Sequence, residues 1–461
     1  MKLSGEIRVI DVAELTPHTQ GVNLYKKQEA EMLMRRFLET LAIASNSKQV
    51  VSDFWVNPAT FVYDAIAFSP LKTPATTLNL WVGHTATPMP GDWSTLKWFL
   101  LNIICAGDVT LFIYLLRFLA HMLQRPEEKA GVMIVLLGAQ GIGKGAFFHL
   151  LHRIWAMTSL QTSDVDAIVG RFNAALEKHY VILMDEALFA GDRKAAEKLK
   201  SLITEPQIRI EQKYEPSRSI LSFHRFFAAS NNDHFAQVDK DDRRFLFLRV
   251  SSKKQGATDF FERLFKDIND SVVIGALVHY LLNLHISNFN VRERPKTAEH
   301  LRQKLHSLSG FERFWFEVLT TGEIPVPLNV TKQWSVPIFI ATRDLINAFK
   351  NYDKNAGRYQ AVQAQTVADK LARLCPSAVQ ARKSHNGAQD RGYELPGIEV
   401  ARANFNKALG ANVRWEWVKP DGEGGGVHFA LSDLEAMREA YDMDDGTAGP
   451  DVDSVLPELT A

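Results

Sequence analysis

The tightest constraint on the fold is eight residues long: Gly138-Ala139-Gln140-Gly141-Ile142-Gly143-Lys144-Gly145. It follows a continuous apolar run, Val132–Leu137, and precedes a stretch with helical spacing that reaches about Trp155. A buried strand, a glycine-rich turn and a helix, in that order, suit a phosphate chain. Glycines let the backbone curl so that successive N–H groups point inward, and the helix presents its positive dipole end. Lys144 can reach the β- and γ-phosphates of ATP. Over these eight residues alone, a glycine-rich turn with a chance lysine reads the same way.

The flanking segments favour the nucleotide. Val181-Ile182-Leu183-Met184 is a second apolar strand, ending in Asp185-Glu186, 41 residues beyond Lys144. Strands of such sheets bind ligands at their carboxyl ends, so both carboxylates fall beside the loop. Asp185 would hold Mg²⁺ through water and Glu186 would polarise an attacking water. A third run, Phe226–Ser230, ends in Asn231-Asn232, where Asn231 would orient the water or touch the γ-phosphate. Arg243-Arg244 precede the apolar run Phe245–Val250. They are either a solvated strand edge or an arginine finger for a neighbouring copy's site. One position departs from the usual pattern. The residue after the lysine normally carries a Ser or Thr hydroxyl that ligates Mg²⁺, and here it is Gly145. Either the metal is held by water and a distant carboxylate, or it binds less tightly.

Buried apolar strands alternating with helices indicate an α/β core with a largely parallel sheet. With 461 residues, 46% of them apolar, the chain can hold two or three domains. The reading divides it into a helical N-terminal region (1–125), the α/β core (126–252), a helical and winged-helix-like region (253–441) and a disordered acidic tail (442–461). Helices are expected at Glu29–Ala44, Asn102–Gln124, Asp259–Asp267, Ser271–Leu282, Thr342–Tyr352 and Ala364–Leu374. Short extended segments are expected at Trp55–Pro70 and a polar connector at Asn288–Lys304. Strands Val379–Lys383 and Gly392–Leu395 would flank a turn at Asn386-Gly387. In a winged helix, Gln363–Arg373 would face DNA, with Arg382, Lys383 and Arg391 beside the wing. A domain packing only on protein is the alternative.

The tail holds six acidic and no basic residues, leaving 53 basic against 47 acidic before it. Such a mildly basic body binds a phosphate backbone only through a local channel. Two cysteines, Cys105 and Cys375, exclude a disulfide framework. Val109–Leu123 is too short and too interrupted to span a membrane, the N-terminus lacks the apolar run of a signal peptide, and a bacterial cytoplasm is expected. His149 and His152 lack the acid of a metal site, and Trp415 and Trp417 alternate like packing residues.

Together these motifs resemble the superfamily 3 helicases of the AAA+ ATPases, and more closely the helicase part of phage and plasmid primase–helicase proteins. The resemblance covers roughly Trp55 to Val250. It rests on WVNPATFVYDAIAFSP, LNLWVG, GAQGIGKG, GRFNAALEKHYVILMDEALFAGDRKAAEKLKSLITEP and AASNN followed by DRRF. It implies a P-loop AAA+ core in a ring, a hexamer, with ATP between protomers. Gly138, Gly141, Gly143, Lys144, Gly145 and Asp185 then bind nucleotide and metal, Glu186 and Asn231 act on water, and Arg244, then Arg243, serves as finger. Ile208–Ile220 reads independently as a hairpin with a polar, basic tip. The resemblance puts that tip in the ring channel, where Lys213, Tyr214 and Arg218 would meet single-stranded DNA. It also implies 3′-to-5′ polarity. Too few residues precede Trp55 for a polymerising primase domain, so the expectation is a helicase without primase activity, either a separate protein with a primase or polymerase as its partner or a piece of a longer one. Two other readings stay open: a nucleotide switch that binds DNA or an initiator without processive unwinding, and a scaffold in which ATP only holds the ring together.

Overall fold

The computed structural model describes residues 2–3, 6–9, 25–41, 46–60, 63–187, 189, 192–214, 216–239, 241–308, 310–326, 330–355, 364–385, 388–413, 415, 419–420 and 427–428. The expected acidic tail, Trp417 and the Asn386-Gly387 turn lie outside them. The described residues form two compact units. One contains the chain up to Asp233 together with Arg243–Pro295, and the other contains His234–Asp242 and the residues from Lys296 onward. Packing in the first unit runs across both 125 and 252, because helices on either side of the expected core share its hydrophobic interior.

The first unit is built on a five-stranded sheet. Its strands are β1 (Met133–Leu137), β2 (Ser159–Thr162), β3 (Val181–Met184), β4 (Arg225–Ser230) and β5 (Phe245–Arg249). Their spatial order is β5-β1-β4-β3-β2, and every pairing is parallel. The runs MIVLL, VILM and RFFAAS are buried along their whole length, as strands covered on both faces must be. Register fixes what meets at the carboxyl edge. Ser230 pairs with Leu137, and Arg249 pairs with Leu137 from the other side. The residues after β1, β3 and β4 therefore emerge at one edge of the sheet.

Helices α1 (Lys27–Thr40) and α2 (Ser47–Val56) precede α3 (Ser94–Phe99), which continues as a π-helical turn, Leu100–Ile104. The long helix expected from Asn102 is broken before α4 (Val109–Gln124). Ala106 and Gly107 both have positive φ, and Asp108 caps α4 by accepting from the Leu111 N–H at 2.9 Å. Helix α2 also occupies the start of the segment expected to be extended. Between the strands lie α5 (Lys144–Ile154) and α6 (Arg193–Thr204), and α7 (Thr258–Asn269) and α8 (Ser271–Asn283) complete the unit. Among the described residues, no helix is long and apolar enough to cross a membrane.

In the second unit α9 (Ala298–His306) takes the place of the expected connector's end, capped by Thr297. Helix α10 (Phe311–Thr321) centres an aromatic core in which Phe311, Phe314 and Trp315 meet Phe349 and Trp334. Then follow β6 (Ile338–Ala341), α11 (Thr342–Asn355), α12 (Ala364–Leu374), β7 (Val379–His385), β8 (Ala388–Leu395) and α13 (Ile398–Leu409). The antiparallel sheet has the order β6-β8-β7. Pairing of β7 with β8 continues to His385 and Ala388. Trp415 is a packing residue against Phe316 and Phe405.

Candidate functional site

Strand β1 delivers the chain into the glycine-rich loop, and two glycines there have no substitute. Gly143, the residue before α5, has φ +111°, and a Cβ on it would stand 3.1 Å from the Phe99 ring. Gly138 has φ +141°, and a Cβ there would lie 2.6 Å from Ile142 Cδ1. Lys144 opens the helix with its side chain turned back into the loop. Its ammonium donates to the carbonyls of Gly138 (2.6 Å) and Ala139 (2.6 Å) and to Asn231 Oδ1 at the end of β4 (2.8 Å). Burial pushes its pKa below the usual lysine value, while Asp185 and Glu186 pull it back up and the Arg249 charge pushes it further down. Those groups are the electrostatic neighbours of the ammonium.

Asp185 follows β3, with its N–H bonded to the Thr162 carbonyl at 2.9 Å. One carboxylate oxygen accepts from the Glu186 N–H at 3.1 Å and the other from Gln161 Nε2 at 3.4 Å. Glu186 is exposed and has φ +53°, a left-handed backbone uncommon for a residue with a side chain. Such conformations concentrate at functional sites. The next residue, Ala187, donates to the Ala229 carbonyl at 3.0 Å, which ties this turn to β4. Gly145 borders open space: a Cβ there would meet nothing within 4 Å.

Carboxylates, ammonium, asparagine and free helix N–H groups thus converge on the carboxyl edge. Such an edge takes a polyphosphate anion, and a cation with it. Magnesium keeps most of its waters and binds through one or two carboxylates plus substrate phosphates. Asp185 fits that pattern, and among the described residues no group of three His, Cys, Asp or Glu forms a protein-only metal cage.

Arg249, a residue the sequence reading passed over, also stands at this edge and pairs with Asp233 at 2.8 Å. It closes β5 opposite Leu137, a position that only the pairing of β5 with β1 reveals. Arg243 and Arg244 lie at the opposite end of β5. The Arg244 carbonyl accepts from the Met133 N–H, before β1 begins its course to the loop. Five residues of extended chain, roughly 17 Å, separate Arg244 from Arg249 at that edge. They are not brought to the site of their own chain.

The hairpin pairs Gln207–Ile210 with Arg218–Leu221. Tyr214 is 92% exposed at its tip with φ +67°, and the Lys213 ammonium lies 5.2 Å from its ring centroid. Arg218 stands apart, its guanidinium held by both oxygens of the Glu177 carboxylate. A neighbouring loop, not anticipated from sequence, brings Arg171 over the Phe172 ring at 5.5 Å, with Phe172 50% exposed. Buried Asn173 fastens that loop to the hairpin, donating to the Arg209 carbonyl and accepting from the Glu211 N–H. The run Gly170-Arg171-Phe172-Asn173 carried a sign of this: an aromatic beside a cation, after a turn-forming glycine.

Residues 136–244, from β1 to Arg244, match a family of unknown function (DUF5906). Over 163 residues, 34% of this chain, the sequence is 29% identical to a DNA primase-polymerase of Nitratiruptor phage NrS-1. The match spans 22% of that relative's length. Apo structures of the NrS-1 C-terminal region share the fold more widely. One superposes with a TM-score of 0.56 and another with 0.57, each at 16% identity, covering 82% of this chain and 92% of that region.

Proposed function

We propose that this chain is an ATP-driven DNA translocase of the superfamily 3 helicase type, with an AAA+ P-loop core, serving the replication of a phage or similar mobile element in a bacterial cytoplasm. The observation that carries the reading is the position of Lys144. Its buried ammonium joins the loop to Asn231, while Asp185 and Glu186 follow the neighbouring strand, β3. The printed name of the NrS-1 relative, a DNA primase-polymerase, supports a place in DNA replication.

In this reading the loop N–H groups and Lys144 hold the β- and γ-phosphates of ATP, the ammonium exchanging its carbonyl partners for phosphate oxygens. Asp185 would hold Mg²⁺ through water, and the ion would supply charge neutralisation at the phosphates. Glu186 polarises the attacking water, and Asn231 orients it and senses the γ-phosphate. Arg244, with Arg243 beside it, completes the site of the next protomer in a hexameric ring, since neither reaches its own. Single-stranded DNA runs through the channel against Lys213 and Tyr214, while Arg218 braces the hairpin through Glu177. The strand–helix–helix–hairpin order of the second unit suits a winged helix that binds duplex DNA through α12, Arg382 and Arg391.

One observation favours a second reading. Gly145 supplies no hydroxyl to a metal, which suits a nucleotide switch that assembles on ATP and turns it over little. Steady-state hydrolysis of Mg-ATP, with and without single-stranded DNA, decides between them. The motor reading expects stimulation by DNA and loss of turnover in both Lys144→Ala and Glu186→Gln. ATP binding without turnover under either condition contradicts it.

A further inference from the structure

A cluster beside the glycine-rich loop is used by none of these roles. Trp98, on α3, is 40% exposed and meets Phe260 of α7 edge to face at 5.3 Å between ring centroids. The Lys254 ammonium stands 5.6 Å from each of the two centroids. The immediate chain neighbours of all three residues reach the loop. Phe99 and Phe261 close on Gly143, whose Cβ would lie 3.1 and 3.4 Å from their rings. Gln255 donates to the Gln140 carbonyl at 3.0 Å. Both helices therefore bring a partly exposed aromatic face to within one residue of the loop that is read above as the phosphate cradle.

We propose that Trp98 and Phe260 form the base-binding part of this site, taking the base of a purine nucleoside triphosphate. The inference rests on the nucleotide reading. A base presents a flat π face, and stacking on an aromatic side chain outweighs an exposed cation–π contact, so an incoming base displaces Lys254 from the rings. The cluster's hydrogen-bonding groups, the Trp98 indole N–H and the Lys254 ammonium, are donors only, and N7 accepts on adenine and guanine alike, so they do not tell the two purines apart. Selection follows stacking area: purines over pyrimidines, adenine and guanine alike, and any nucleotide over the bare triphosphate chain.

The test is equilibrium binding of ATP, CTP and tripolyphosphate to the full chain in Mg²⁺. Wild type is compared with Trp98→Ala, Trp98→Phe, Phe260→Ala and Lys144→Ala. Wild type is expected to bind ATP about tenfold more tightly than tripolyphosphate, the scale of one base–aromatic stack. Trp98→Ala and Phe260→Ala lose most of that margin with tripolyphosphate affinity unchanged, and Trp98→Phe keeps most of it. Tryptophan emission quenched by ATP but not by tripolyphosphate, and unresponsive in Trp98→Phe, reports the same contact where the alanine variant fails to fold. Wild-type ATP affinity in Trp98→Ala and Phe260→Ala, with ATP binding lost in Lys144→Ala, overturns the base site and leaves the nucleotide reading standing. Unchanged ATP binding in Lys144→Ala removes the nucleotide reading and this inference with it.

Discussion

At the scale of single residues, Gly145 is the position where the site departs furthest from the usual phosphate loop, and the surrounding space makes it testable. Because a Cβ there meets nothing, Gly145→Thr is expected to fold and to place a hydroxyl where a Mg²⁺ ligand is usual. The expected result is a several-fold lower Mg²⁺ concentration for half-maximal turnover; an unchanged Mg²⁺ dependence shows that the metal lies elsewhere. Gly145→Ala provides the control. It gains about 0.5–1 kcal/mol of stability from helix propensity and leaves the Mg²⁺ dependence alone. Two buried histidines set the acid limit of the fold. Burial, with nearby cations, lowers the pKa of His224 to about 3 and that of His121 to about 3. Both are neutral in the native state, whereas the unfolded chain takes up their protons below about pH 6.5. Stability is therefore complete above pH 6.5 and falls as the pH drops toward 3, by at most about 1.4 kcal/mol per pH unit for each. Urea unfolding between pH 7 and 4 measures the slope, and His224→Gln is expected to reduce it. A wild-type profile flat over that range contradicts the assignment.

At the scale of elements, the hairpin offers a way to separate the proposed DNA contact at Lys213 and Tyr214 from the Arg218–Glu177 pair that supports it. Lys213→Ala and Tyr214→Ala are expected to weaken single-stranded DNA binding, Tyr214→Ala by about 1–3 kcal/mol if one base stacks there. Lys213→Ala should also lower the salt slope by roughly 0.7, the share of one phosphate contact on a single strand. Arg218→Ala, which breaks the Glu177 pair, should lower thermal stability with little change in that slope. A slope altered by Arg218→Ala alone reverses these assignments. Strands β1, β3 and β4 were legible in sequence to within a residue, because VMIVLL, YVILM and RFFAAS are apolar runs ending in glycine or polar residues, whereas β2, a short polar SLQT at the sheet edge, was not. Helix α9 was not legible, since it buries Glu299, Arg302, Gln303 and Lys304, so its inner face has no apolar period. The break at Cys105–Asp108 contains no proline and depends on two positive φ angles, one of them at an alanine. The convergence of Lys144, Asp185 and Asn231 could be read from strand ends alone. Arg249 could not be placed without the non-local register of β5 on β1, and Trp98 sits 40 residues before the loop it approaches.

At the scale of the whole molecule, Arg244 lies at the end of β5 away from its own loop, so the proposed finger role requires a second copy of the chain. Arg244→Ala and Lys144→Ala are each expected to be inactive, and mixing the two should restore part of the turnover, because some interfaces then pair an intact loop with an intact arginine. Failure of every mixture to recover activity removes the arginine finger from the account. The central claim, that ATP turnover moves DNA, is tested most directly by strand displacement on a forked duplex in Mg-ATP, with wild type beside Glu186→Gln. The account expects wild type to release the strand, and Glu186→Gln to bind both ATP and the fork yet release nothing. Turnover of ATP by wild type with the fork left intact, or equal displacement by Glu186→Gln, contradicts it.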